Sequence, residues 1–146
     1  GWEVIDVETF LLGLSSPERL PGRAALLTFD DGCRSMHEIV LPILRRFGFP
    51  AVLFVPTDYI GRTSAFGDGA EPEEPFCDWQ DLRELDRNQV SIQSHGVSHD
   101  WFSLLNEQDQ QRDQEIRLEM RGDQLFPRGR RSRDARDLPY PPSRFP

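Results

Sequence analysis

A chain of 146 residues is long enough for one modest domain with a real core, but it falls short of the roughly 200–250 residues that α/β barrels usually take, so a single, incomplete domain is expected. The net charge of −8 is uneven: residues 1–120 carry 10 arginines against 22 acids and residues 121–146 carry 7 against 3, an acidic body that argues against phosphate-backbone binding and a basic tail read as a solvated segment rather than a nucleic-acid grip. All 17 basic residues are arginine, which excludes Schiff-base or other catalytic-lysine chemistry within this chain.

In chain order, "WEVIDVETFLLGL" reads as a short strand-like piece followed by a helical turn or two, which Ser15, Ser16 and Pro17 end. After the turn "RLPGR", the apolar run Ala24 to Phe29 has the length of a strand buried on both faces. From Ser35 to Phe47, apolar residues at 36, 39, 40, 43, 44 and 47 follow helical spacing, and Gly48 stops the helix before Pro50 and a second strand, "AVLFV". Strand, helix, strand predicts a βαβ unit and hence a parallel sheet.

Residues 61–77, rich in Gly, Pro and acids, are expected as a long surface loop. "WQDLRELDR" returns to helical spacing, with Trp79, Leu82 and Leu85 on one side, and "QVSIQS" alternates as a strand. From Asn106 to about Arg121 a polar stretch predicts a surface helix. No run approaches the ~18 apolar residues of a membrane span and no signal-peptide order is present, so no transmembrane segment is expected and the compartment, cytoplasm or cell envelope, is left open. Cys33 and Cys77 match no metal-binding or redox spacing and read as buried or partly buried free thiols.

Ligand sites of α/β sheets lie at the carboxyl ends of the strands. The first confident strand ends in Asp30 and Asp31, and the "VSIQS" strand ends in His95, with His99 four residues on. Four residues of extended chain would span about 13 Å, too far for one cation, so "HGVSH" is expected to curl back at Gly96 and let both imidazoles reach zinc's ~2.0–2.1 Å. Two histidines and one carboxylate of the aspartate pair leave positions open for water and substrate, the mark of a catalytic site. The cation would offset the repulsion within the pair and leave the other aspartate as a general base. A capping turn is the plainer reading of "DDG" alone. His37 reads as an ordinary exposed helix residue.

"LTFDDG" followed some 65 residues later by "SHGVSH" resembles the polysaccharide deacetylase family, and the similarity extends through "LPILRRFGFPAVLFVPTDYIG" and "WQDLRELDRNQVSIQSHGVSHDWFSLL", over roughly residues 20–116. The resemblance implies a distorted (β/α) barrel with parallel strands, of which this chain holds the first half or so. It also implies hydrolysis of N-acetyl or O-acetyl groups from a polysaccharide or amino sugar. Asp30 would be the catalytic base, and Asp31, His95 and His99 would hold a divalent metal, zinc first, with cobalt or another divalent ion as alternatives. On this basis residues 1–20 form an N-terminal extension, residues 21–118 the first half of the deacetylase domain, and residues 119–146 an Arg/Pro-rich tail.

That tail carries "DLPYPPSRF", a degenerate form of the family's third motif. In one register Tyr140 and Pro141 meet the substrate and Pro142 stands at the oxyanion-donor position without an N–H. In the other, Pro139 and Tyr140 match and the donor is kept. A family histidine that protonates the leaving amine has no counterpart here. The alternatives are therefore an impaired or inactive domain that keeps carbohydrate and metal, and a two-histidine, one-carboxylate iron oxygenase. The expected partner is a carbohydrate; nucleic acid is not expected.

Overall fold

The computed structural model describes residues 1–63 and 74–112. The chain opens with β1 (Glu3–Val4) and α1 (Val7–Ser15). Asp6 caps α1 by accepting from the Thr9 amide at 2.7 Å, and hydrogen bonding from the Thr9 side chain first, then from that amide, holds its carboxyl below the usual range. The run Ala24 to Phe29, expected as one strand buried on both faces, is instead two short strands, β2 (Ala24–Ala25) and β3 (Thr28–Phe29). β2 pairs in parallel with β1, whereas β3 pairs in parallel with β4 (Ala51–Val55). The chain changes partners at Leu26 and Leu27, and neither strand is fully buried.

The helical segment after "DDG" also differs in phase from the sequence pattern. Met36 to Val40 form a π-helical turn that runs into α2 (Leu41–Phe47). The amide of Leu41 donates to the Met36 carbonyl, five residues back, ahead of Pro42, which has no amide to give. The extra residue in that turn rotates the buried face, so Met36, Leu41 and Leu44 point inward while Ile39, Ile43 and Phe47 are exposed. Gly48, in the left-handed conformation at φ 65°, ends the helix.

β4 is buried almost throughout, as a central parallel strand must be. α3 (Trp79–Arg87) begins with a reciprocal capping box between Asp78 and Asp81 and buries Leu82 and Leu85. It leads into β5 (Val90–Ser94), completing a three-stranded parallel sheet in the order β3-β4-β5, with Ala51 opposite Val90 and Val55 opposite Ser94. The core between sheet and helices is Met36, Leu41, Leu44, Leu53, Val55, Leu82, Leu85, Val90 and Ile92.

The described residues make an open sheet and not a closed barrel. The ends of the 61–77 loop are tied by bridges from Cys33 to Phe76 and from Thr63 to Pro75, and residues 64–73 lie outside the described part. Residues 107–112 are helical, capped by the Asn106 side chain accepting from the Asp109 amide. The continuation expected to about Arg121, together with Tyr140 and Pro141, lies outside the described residues. No described helix is long and apolar enough to cross a membrane.

Candidate metal centre

Because β3, β4 and β5 run parallel, their carboxyl ends share one edge, and the segments that follow converge there. After β3 the backbone turns sharply. Asp31 has φ 69° and Gly32 φ 74°, and the Gly32 amide donates to the Asp30 carbonyl at 2.8 Å. Any side chain at position 32 would be strained, since a Cβ there would stand 2.6 Å from Val55 Cγ1 in addition to the unfavourable φ. The turn is then held from behind: the Cys77 amide donates to the Gly32 carbonyl at 2.8 Å, and the Arg34 amide to the Pro75 carbonyl at 2.7 Å.

The segment after β5 curls back at Gly96, as its sequence predicts, with φ 89°. The His95 amide donates to the Val55 carbonyl at 2.8 Å, while Thr57 and Asp58 donate to the Gly96 and Val97 carbonyls, so the loops after β4 and β5 are laced together. Ser98 donates to Asp100 at 2.6 Å. Ser94 steadies the loop, its hydroxyl accepting from the Gly96 amide at 3.1 Å. His99 closes the turn at φ 63°. Asp31 and His99 thus both occupy a left-handed conformation that is uncommon for residues with a Cβ, and Asp and His are among those that tolerate it.

These turns bring together Asp31, His95 and His99, one ligand atom from each lying within 4.8 Å of the others. Asp31 Oδ1 stands 3.0 Å from His99 Nε2 and 3.4 Å from His95 Nε2, and the two imidazole rings meet nearly edge to face at 5.2 Å. Asp31 Oδ1 is buried and receives no hydrogen bond. A buried, unsatisfied carboxylate oxygen costs free energy, and it faces two aromatic nitrogens whose lone pairs can turn toward the same point. Three donors about zinc's ~2.0–2.1 Å from a tetrahedral centre would lie roughly 3.3 Å from one another. The donor set and its spacing therefore fit a small divalent cation. Asp30 stands outside this trio and is exposed just after the end of β3.

The two thiols are free, as expected, and unsuited to join the centre: burial pushes Cys33 up to about 11 and Cys77 up to about 12, so both stay protonated near neutrality. His37 corrects its sequence reading. It is half-buried between helices, with Nε2 3.0 Å from Glu84 Oε2 and Nδ1 3.6 Å from Asp81 Oδ1. A single sequence holds no signal for that contact, which joins residues more than forty positions apart.

Residues 18–122 match the family model described as polysaccharide deacetylase. Over 82 residues the chain is 42% identical to the poly-beta-1,6-N-acetyl-D-glucosamine N-deacetylase of Escherichia coli K12, covering 52% of this chain and 12% of that protein. Its fold is similar to that of IcaB from Ammonifex degensii, with a TM-score of 0.70 at 22% identity over 86% of this chain and 55% of that one. It is also similar to the BpsB deacetylase domain from Bordetella bronchiseptica, with a TM-score of 0.57 at 32% identity over 67% of this chain and 39% of that one. The chain thus spans about half or less of these relatives, and its open parallel sheet is part of a (β/α) barrel.

Proposed function

The chain belongs to the polysaccharide deacetylase family, and from that premise we propose that it is a metal-dependent hydrolase that removes the acetyl group from the 2-acetamido nitrogen of an amino-sugar polymer. The observation that carries the proposal is the convergence of Asp31 Oδ1, His95 Nε2 and His99 Nε2 on one point, with the aspartate oxygen otherwise unsatisfied. Zinc is the first candidate for that point, given two imidazoles and one carboxylate. A cation held there would supply Lewis-acid polarisation of the acetyl carbonyl.

The remaining chemistry belongs to the chain. Asp30 accepts a proton from the attacking water, whose oxygen bonds to the acetyl carbon. The carbon–nitrogen bond then breaks, and the nitrogen takes up one proton to leave as the free amine beside acetic acid. Asp31 cannot serve as the base while its oxygen faces the two imidazoles, so the adjacent carboxylates divide the work. The Escherichia coli relative's name points to β-1,6-linked N-acetylglucosamine as the first polymer to test.

A second reading is a domain that binds cation and carbohydrate without turnover. One assay separates the two: acetate release from β-1,6-linked N-acetylglucosamine oligomers, measured alongside zinc content. Asp30→Asn should lower turnover by about 10²- to 10⁴-fold with zinc retained, and His99→Ala should lose zinc. Full turnover in Asp30→Asn would refute the base assignment. Zinc and oligomer bound without acetate release by the unaltered chain would establish the second reading.

A further inference from the structure

We propose that His37 is a positioning residue for the metal centre, holding the Asp31 turn in register with the histidine pair by bridging two carboxylates of α3. The proposal rests on the reading of Asp31, His95 and His99 as a cation site.

The two halves of that site are anchored unequally. His95 and His99 follow β5, which pairs with β4 over five residues and whose loop is laced to the β4 loop by three backbone hydrogen bonds. Asp31 follows β3, which contributes only Thr28 and Phe29 to the ladder. Its place must therefore be set largely by what comes after it. Beyond the backbone bridge to residues 75–77, the segment after Asp31 is fixed by side chains reaching from residues 34–45 to α3, the helix that leads directly into β5.

His37 stands at the middle of that contact. Its Nε2 faces Glu84 Oε2 at 3.0 Å and its Nδ1 faces Asp81 Oδ1 at 3.6 Å. The first contact is a hydrogen bond and the second, at its longer distance, an electrostatic one. Asp81 is the buried charged residue among those described, already accepting from the Asp78 amide at 3.1 Å and facing Arg34 Nε at 3.8 Å. Glu84 also pairs with Arg45 Nη2 at 2.8 Å, and the Arg45 Nε donates to Asn88. Glu38 is engaged by Arg34 at 3.2 Å, and the Cys77 thiol lies close to the Asp81 carboxylate and the His37 backbone. Two carboxylates thus face the His37 ring.

The experiment measures zinc affinity by competition with a chromophoric chelator for the unaltered chain, His37→Gln, His37→Arg and Glu84→Gln, with folding checked by circular dichroism. His37→Gln and Glu84→Gln should bind about tenfold more weakly, the range for residues that orient metal ligands, at unchanged stoichiometry. His37→Arg, which can still reach both carboxylates, should bind within about twofold of the unaltered chain. Folded His37→Gln and Glu84→Gln that bind zinc as tightly as the unaltered chain would overturn the positioning role while leaving the cation site intact. Absence of zinc binding by the unaltered chain would instead overturn the cation site and this inference with it.

Discussion

Gly32 shows how a residue without functional atoms can decide where a functional one sits. Its φ of 74° and the 2.6 Å approach of Val55 to any added Cβ are both needed for the chain to turn back after Asp31. Gly32→Ala should therefore destabilise the fold by about 2–4 kcal/mol, combining a left-handed penalty with an overpacking cost, and should weaken zinc binding because Asp31 moves with it. Denaturant unfolding with a zinc titration measures both, and a variant as stable as the parent would contradict the account. At this scale the sequence is informative about residue types: adjacent aspartates at one strand end and paired histidines at another supply the three side chains that the fold brings together. It is silent on conformation, because nothing in "DDG" or "HGVSH" states that Asp31 and His99 adopt positive φ. It is also silent on His37, whose partners lie on a different helix.

Elements differ in how plainly their sequences announce them. "AVLFV" and "WQDLRELDR" fold as their patterns predict, since one is a continuous apolar run and the other a capped amphipathic helix, both determined by residues within their own span. "AALLTF" does not, because its two halves are claimed by different sheets, and partner choice is a tertiary matter. The π-helical turn before α2 is hidden for a related reason: one extra residue in a turn shifts the buried face without altering composition. α3 contributes to the acid sensitivity of the fold, as the Asp6 cap of α1 does. Glu84 is held below a glutamate's ordinary 4.5, first by its hydrogen bond to His37 and then by Arg45. Because the folded value is the lower one, its stabilisation is present above pH 4.5 and is lost as the pH falls through that depressed value. Glu84→Gln should therefore flatten the decline of unfolding midpoint below pH 4.5; an unchanged acid slope would remove Glu84 from that role.

For the molecule as a whole, the cation should act as a staple between segments more than sixty residues apart, because Asp31 and the two histidines converge only in the folded chain. Zinc that binds the folded form alone adds about 2.7 kcal/mol at one hundred times its dissociation constant. The thermal midpoint should rise with zinc, return to the apo value with a chelator, and be insensitive to zinc in His99→Ala. A midpoint indifferent to zinc in the unaltered chain would count against the centre. The break at Leu26 and Leu27 carries a different consequence, for the way the protein breathes. β1 and β2 form a sheet of their own, closed by the Glu3 and Ile5 amides, while the Ala51 and Val52 amides belong to the other sheet. The two sheets are joined through a two-residue kink, so the first can unzip while the second stays shut. Hydrogen–deuterium exchange should then resolve two opening events, with Glu3 and Ile5 exchanging at a lower opening free energy than Ala51 and Val52, and a single shared value for all four would show that the sheets open as one.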